Sequence, residues 1–169
     1  MASEIHLETG TPVVLAVTAF HGLITSTTSG GWQSAKIDLT ASRAEQFILR
    51  AQVAWTAAIT PGGYISFYVG FSSLSTAASG NPANLSGADA VWTGYGNDII
   101  VASSHLQQIG ILAGSLTTST TVYQVKDIGM FTPLDRYCMI VAINNSSQPL
   151  STITTYNALT LIPLMDEAQ

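Results

Sequence analysis

Two runs of alternating apolar residues, parted by a four-residue break, constrain this chain more than any other feature. From Gln46 onward, Phe47, Leu49, Ala51, Val53 and Trp55 fall at every second position, with Arg50, Gln52 and Thr56 between them. Successive side chains of a strand point to opposite faces, so this spacing puts the five apolar groups on one side of a half-buried strand. Ile65, Phe67, Val69 and Phe71 repeat the pattern against Tyr64, Ser66, Tyr68 and Gly70. Thr60-Pro61-Gly62-Gly63 separates the runs, with one fixed φ and two residues free to take positive φ. So short a connection predicts a hairpin. The chain reads as an antiparallel β protein.

Its polar surface has an unusual source. Charged residues are 9% of the 169, against about 25% in an average domain. Hydroxyls replace them, as 20 Thr and 18 Ser. Thr suits strands and Ser suits turns. Such a surface repels neighbours poorly, which favours a protein that works in contact with others. The five basic residues, Lys36, Arg43, Arg50, Lys126 and Arg136, are scattered singly within a net charge of −5. Phosphate-backbone binding draws on clustered cations, so nucleic acid is not expected as a partner.

The length suits one domain, placed at 12–164 between an N-terminal arm at 1–11 and an acidic C-terminal tail at 165–169. The arm is expected to stay mobile or to lie along a partner. Eight principal strands are predicted: 13–20, 35–39, 46–57, 64–71, 105–112, 121–128, 136–143 and 156–162. Pro163 is expected to stop the last, having no N–H to donate. Short strand pieces are expected at 91–95 and 99–102, and one helical turn at 42–46, capped by Ser42 with Glu45 three residues on. Ser72 to Asp89 lacks either period and reads as a long loop over one end of the domain or against a neighbour. Asn144-Asn145 reads as a turn pair tolerant of the left-handed region. Two-sheet packing follows, with a jelly roll as the first expectation. The hairpin at 60–63 points instead to a general β-sandwich or barrel.

Candidate chemistry is thin. The chain holds no G-x-S-x-G, H-E-x-x-H or G-x-x-x-x-G-K motif. Gly70-Phe71-Ser72-Ser73 approaches a nucleophile elbow but lacks the second glycine. His6 and Glu8 share a face of an extended arm, short of the ligand count of a metal site. His21 reads as a turn residue, and His105 has no partner the sequence can place. Asp89, Asp98, Asp127 and Asp135 are the carboxylates a glycosidase would need near one bond. Asp89 and Asn97-Asp98, with Trp92 and Tyr95 beside them, fit a calcium-dependent sugar loop equally. For each, a structural role is the simpler expectation. Cys138 sits in the apolar run 137–143 as a small buried hydrophobe. No cofactor, metal or catalytic residue is assigned. The N-x-S patterns at Asn84, Asn144 and Asn145 carry no weight without a secretory signal. The two acids and missing basic region of the N-terminus give none, and no apolar run reaches membrane-spanning length. Synthesis in a reducing cytoplasm and no membrane partner are expected.

The last third supplies the one resemblance. R-Y-C-M-I-V-A-I-N-N-S-S-Q-P-L-S from Arg136, then Y-N-A-L-T-L-I-P-L-M-D-E-A-Q to Gln169, resembles the small decoration, cement or head proteins of tailed bacteriophages. The likeness covers Arg136 to Gln169 as apolar strand, Asn/Ser turn, apolar strand and acidic tail. It implies a non-enzymatic virion protein on the capsid exterior, with the major capsid protein and copies of itself, as a dimer or trimer, for partners. The competing expectation is a receptor- or glycan-binding fibre or lectin-like module using Trp92 or Tyr95. A hydrolase on a β-sandwich comes third.

Overall fold

In the computed structural model, residues 6–25, 31–40, 44–95, 99–114 and 123–167 are described. The strands among them are β1 (His6–Thr9), β2 (Val13–Val14), β3 (Gly31–Gln33), β4 (Ile37–Asp38), β5 (Gln46–Val53) and β6 (Tyr64–Ser72). They continue with β7 (Ala90–Trp92), β8 (Gln107–Ala113), β9 (Gln124–Phe131), β10 (Tyr137–Asn144) and β11 (Ala158–Glu167). One short helix, α1 (Ile99–Ser103), and 3₁₀ turns at Thr18–Phe20 and Pro82–Asn84 complete the elements. No described helix is long and apolar enough to cross a membrane.

Every strand pair is antiparallel, and the pairs make two sheets. The first has the order β1-β11-β5-β9, with β2 also on β11. The second runs β7-β3-β10-β6-β8, with β4 also on β10. β1 and β2 are two halves of one interrupted strand along β11, and β3 and β4 are halves of another along β10. Counting each interrupted pair once and leaving out short β7, the strands follow the sheet orders 1-8-3-6 and 2-7-4-5. This is the arrangement of a jelly roll, two Greek keys packed face to face.

The alternating face of β5 is buried as its period requires: Phe47, Leu49, Ala51 and Val53 have no exposed surface. It packs against Ile65, Phe67 and Val69 of β6 in one core with Leu159, Leu161 and Phe131. The connection at 60–63 is not a hairpin. Gly63 N–H donates to Thr60 O at 3.1 Å, with Gly62 at φ 87°, but β5 and β6 lie in different sheets. Residues 54–59 first cross the end of the sandwich, where Trp55 bridges to Leu150 and the Trp55 and Ile59 side chains are buried. The turn therefore serves a crossing between layers.

Other expectations change for local reasons. The apolar run at 13–20 is a strand only at Val13–Val14, and its end curls into the 3₁₀ turn that buries Phe20. Pro163 does not end its strand, and β11 continues to Glu167. The proline sits where the strand opposite breaks between β1 and β2, so its missing N–H is tolerated there, while its carbonyl accepts Gly10 N–H at 2.9 Å. His6–Thr9 lie along Leu164–Glu167, so these parts of the expected arm and tail pair with each other. Residues 99–102 are helical. The capped turn at 42–46 lies partly outside the described residues, and Gln46 already belongs to β5.

Parts of the stretches 73–89 and 99–106 lie across the outer face of the second sheet, whose edge β7 forms between them. All eight residues of β10 are buried. Cys138, Ile140 and Ala142 face the sandwich core, while Met139, Val141 and Ile143 pack under Ala83, Leu85, Trp92 and Ala102. This layer is pinned at its start by Lys36. The ammonium donates to Leu74 O, Thr76 O, Ser79 O and Ser72 Oγ at 2.8–3.1 Å.

The two free edges of the long strands meet. β8 and β9 belong to different sheets, and each carries a bulge, at Ile109 opposite Phe67/Tyr68 and at Ile128 opposite Leu49/Arg50. Beside each bulge stands a glycine. A Cβ on Gly110 would sit 2.5 Å from Ile128 O, and one on Gly129 would sit 2.3 Å from Ile109 O. One side of the sandwich is thereby nearly closed, which guards two edges against foreign strands.

Candidate functional site

The residues with chemical potential are held in structural bonds. The Asp89 carboxylate accepts Thr18 N–H at 2.8 Å and Ala19 N–H at 3.3 Å, at the start of the 3₁₀ turn, and the Trp32 indole N–H at 2.6 Å. One side chain thus joins the 72–89 stretch, the first connection and β3. Asp89→Ala should cost about 1.5–3 kcal/mol, because bonds to a charged acceptor are lost and a buried indole N–H is orphaned. Urea unfolding of the variant checks it, and an unchanged midpoint would contradict the anchoring role.

Trp92 is not available to a sugar. It is buried, and its indole N–H donates to Ala83 O at 2.9 Å. Tyr95 remains exposed, edge-on to the His105 ring with 5.7 Å between centroids. Ser72 is buried, and its hydroxyl belongs to the Lys36 cage. Burial pushes the Cys138 thiol far above its ordinary range, so thiolate chemistry is suppressed. His21 ends the first 3₁₀ turn, with Nδ1 3.4 Å from the Asn157 amide nitrogen. Asp135 is exposed. Asn97 and Asp98 lie outside the described residues, as do the His6 and Glu8 side chains. Among the described residues no three of His, Cys, Asp and Glu gather in a way that could hold a metal ion.

The asparagines act by hydrogen bonding. Asn144 is fully buried, donates to Leu23 O and Gln148 O, and accepts from Ser146 N–H and Oγ–H. It shapes the 145–148 turn through its side chain and needs no positive φ. The non-glycine residues that do take positive φ, among those described, are Ala83 and Asn84.

Among the described residues two ion pairs are exposed. The Arg136 guanidinium and the Thr40 N–H and hydroxyl hold the Asp38 carboxyl well below the usual range. Arg50 lowers the Asp127 carboxyl through paired bonds of 2.6 and 3.0 Å. Arg50 and Asp127 are register partners on the outer face of the first sheet.

That face is the surface that the sequence pattern does not single out. Ala83, Leu85, Trp92 and Ala102 cover the outer face of the second sheet and not this one. Its rows can be read from the register. Val14, Thr160, Arg50 and Asp127 form one; Ile162, Ile48 and Met130 form the next; Ala158, Gln52 and Val125 lie on the other side. Val14 is 73% exposed, Val125 54% and Met130 53%. Tyr123 and Tyr156, at 6.3 Å between ring centroids, continue it past Val125. No protein-family model and no curated protein matches the chain.

Proposed function

We propose that the protein is a non-enzymatic structural component of a virion that binds the outside of a phage capsid shell and stabilises it. One observation carries the reading. The described carboxylate, hydroxyl, thiol and indole groups with chemical potential are mostly spent on holding the fold, while part of a sheet face, at Val14, Val125 and Met130, stays open to a partner. Large exposed apolar surfaces rimmed by polar groups mark interaction sites. The capsid as partner rests on the resemblance of Arg136 to Gln169 to decoration proteins. An acidic surface, with pI near 4.8, suits the exterior of a shell better than the side facing DNA. Contacts of low charge and modest strength suffice there, because capture at many lattice sites multiplies them.

Added to undecorated expanded shells, the purified protein should bind and raise their disruption temperature. Failure to bind either expanded or immature shells would remove the capsid reading. Tyr95, exposed beside His105, favours a glycan-binding module as the alternative. Saturable binding of host polysaccharide that Tyr95→Ala weakens would decide for it.

A further inference from the structure

We infer that the outer face of the first sheet pairs with the same face of a second copy across a two-fold axis. The axis runs parallel to the strands, over the line between β5 and β9. The reason lies in how charge is set out on that face. Arg50 and Asp127 stand side by side at one level on adjacent strands, each with a side chain 48% exposed. Rotation about this axis exchanges β5 with β9 and keeps every residue at its own level. Arg50 then faces the partner's Asp127, and Asp127 faces the partner's Arg50.

The next row obeys the same operation. Ile48 and Met130 are register partners, so Ile48 faces the partner's Met130 and apolar surface meets apolar surface. An axis moved onto β5 would stack Arg50 on the partner's Arg50, and one over β9 would stack the two Asp127 carboxylates. Like charges face to face are costly, so the pattern selects one placement. Two antiparallel sheets packed in this way lie within about 30° of alignment. An interface that meets itself is the ordinary basis of a two-fold dimer. The inference does not rest on the capsid reading, since it concerns the free protein in solution.

Charge reversal tests it. The natural protein should sediment as a dimer. Arg50→Asp sets two carboxylates against the partner's two, and Asp127→Arg sets two guanidiniums together, so each variant alone should be monomeric. Mixed in equal amounts, the two variants should form a heterodimer, because every contact across the axis is again between opposite charges. The double variant, Arg50→Asp with Asp127→Arg, should dimerise by itself. Circular dichroism confirms that each variant is folded. A monomeric natural protein, single variants that stay dimeric, or a folded mixture that fails to pair would each overturn the inference. Damage within one chain cannot produce rescue on mixing. Shell binding is read separately, so either proposal can fail while the other stands.

Discussion

Trp55→Ala should lower the stability of the isolated protein by about 3–5 kcal/mol, the range for removing a large aromatic from a core. Trp55 closes the end of the sandwich, 6% exposed, within the cluster that includes Ile59, Leu150 and Val53. Its indole N–H donates to Ser146 Oγ at 3.0 Å, and that hydroxyl also donates to Asn144 Oδ1 at 2.6 Å. Removing the ring opens a cavity and loosens the polar knot that ties the 145–148 turn to the crossing segment. Trp55→Phe keeps most of the volume and loses the hydrogen bond, so its cost should be nearer 1–2 kcal/mol. Urea unfolding of both variants separates packing from bonding. If Trp55→Ala melted like the natural protein, Trp55 would belong to an assembly surface and not to the core.

Gly129→Ala should cost about 3 kcal/mol, at the upper end for overpacking, with Gly110→Ala close behind. Neither glycine takes a positive φ among the described residues, so the cost is one of space. The obstruction in each case is a backbone carbonyl of the opposite strand, 2.3 Å from the Gly129 Cβ position and 2.5 Å from that of Gly110. A side chain can rotate aside. A backbone carbonyl moves only with its strand, so relief requires β8 to separate from β9. Gly62→Ala is the control, since Gly62 has φ 87° and no atom within 4 Å of its Cβ position, and it should lose only about 1 kcal/mol. Equal midpoints for Gly62→Ala and Gly129→Ala would mean that the two edges do not touch. The double variant at Gly110 and Gly129 should cost less than the two singles added, because one separation relieves both clashes.

Much of this molecule is written in local pattern. The period of two at Phe47–Trp55 and Ile65–Phe71 determined strand identity and the buried face, because burial on one side of a pleated strand allows no other spacing. Seven of the eight predicted strands match observed ones with shifted ends over the described residues; the eighth, 13–20, is strand only at Val13–Val14, and β1 and β3 were not anticipated. Cys138 reads correctly as core because an apolar run around a lone cysteine leaves it nothing to react with. The sandwich class was legible from these residues alone.

What only the tertiary structure decided were questions of who lies opposite whom. Thr60-Pro61-Gly62-Gly63 has the composition of a hairpin turn, yet it serves a crossing, because Trp55 and Ile59 reach the far layer first. Pro163 continues its strand because the strand opposite is broken at that point. Asp89 looks like a catalytic or calcium-binding carboxylate until Thr18 and Trp32, 71 and 57 positions away, are seen to hold it. The meeting of Gly110 with Ile128, and of Arg50 with Asp127, follows from registers set across the whole chain. Residue type and spacing act over a few positions, whereas pairing between distant segments is settled only when the competing layers pack together.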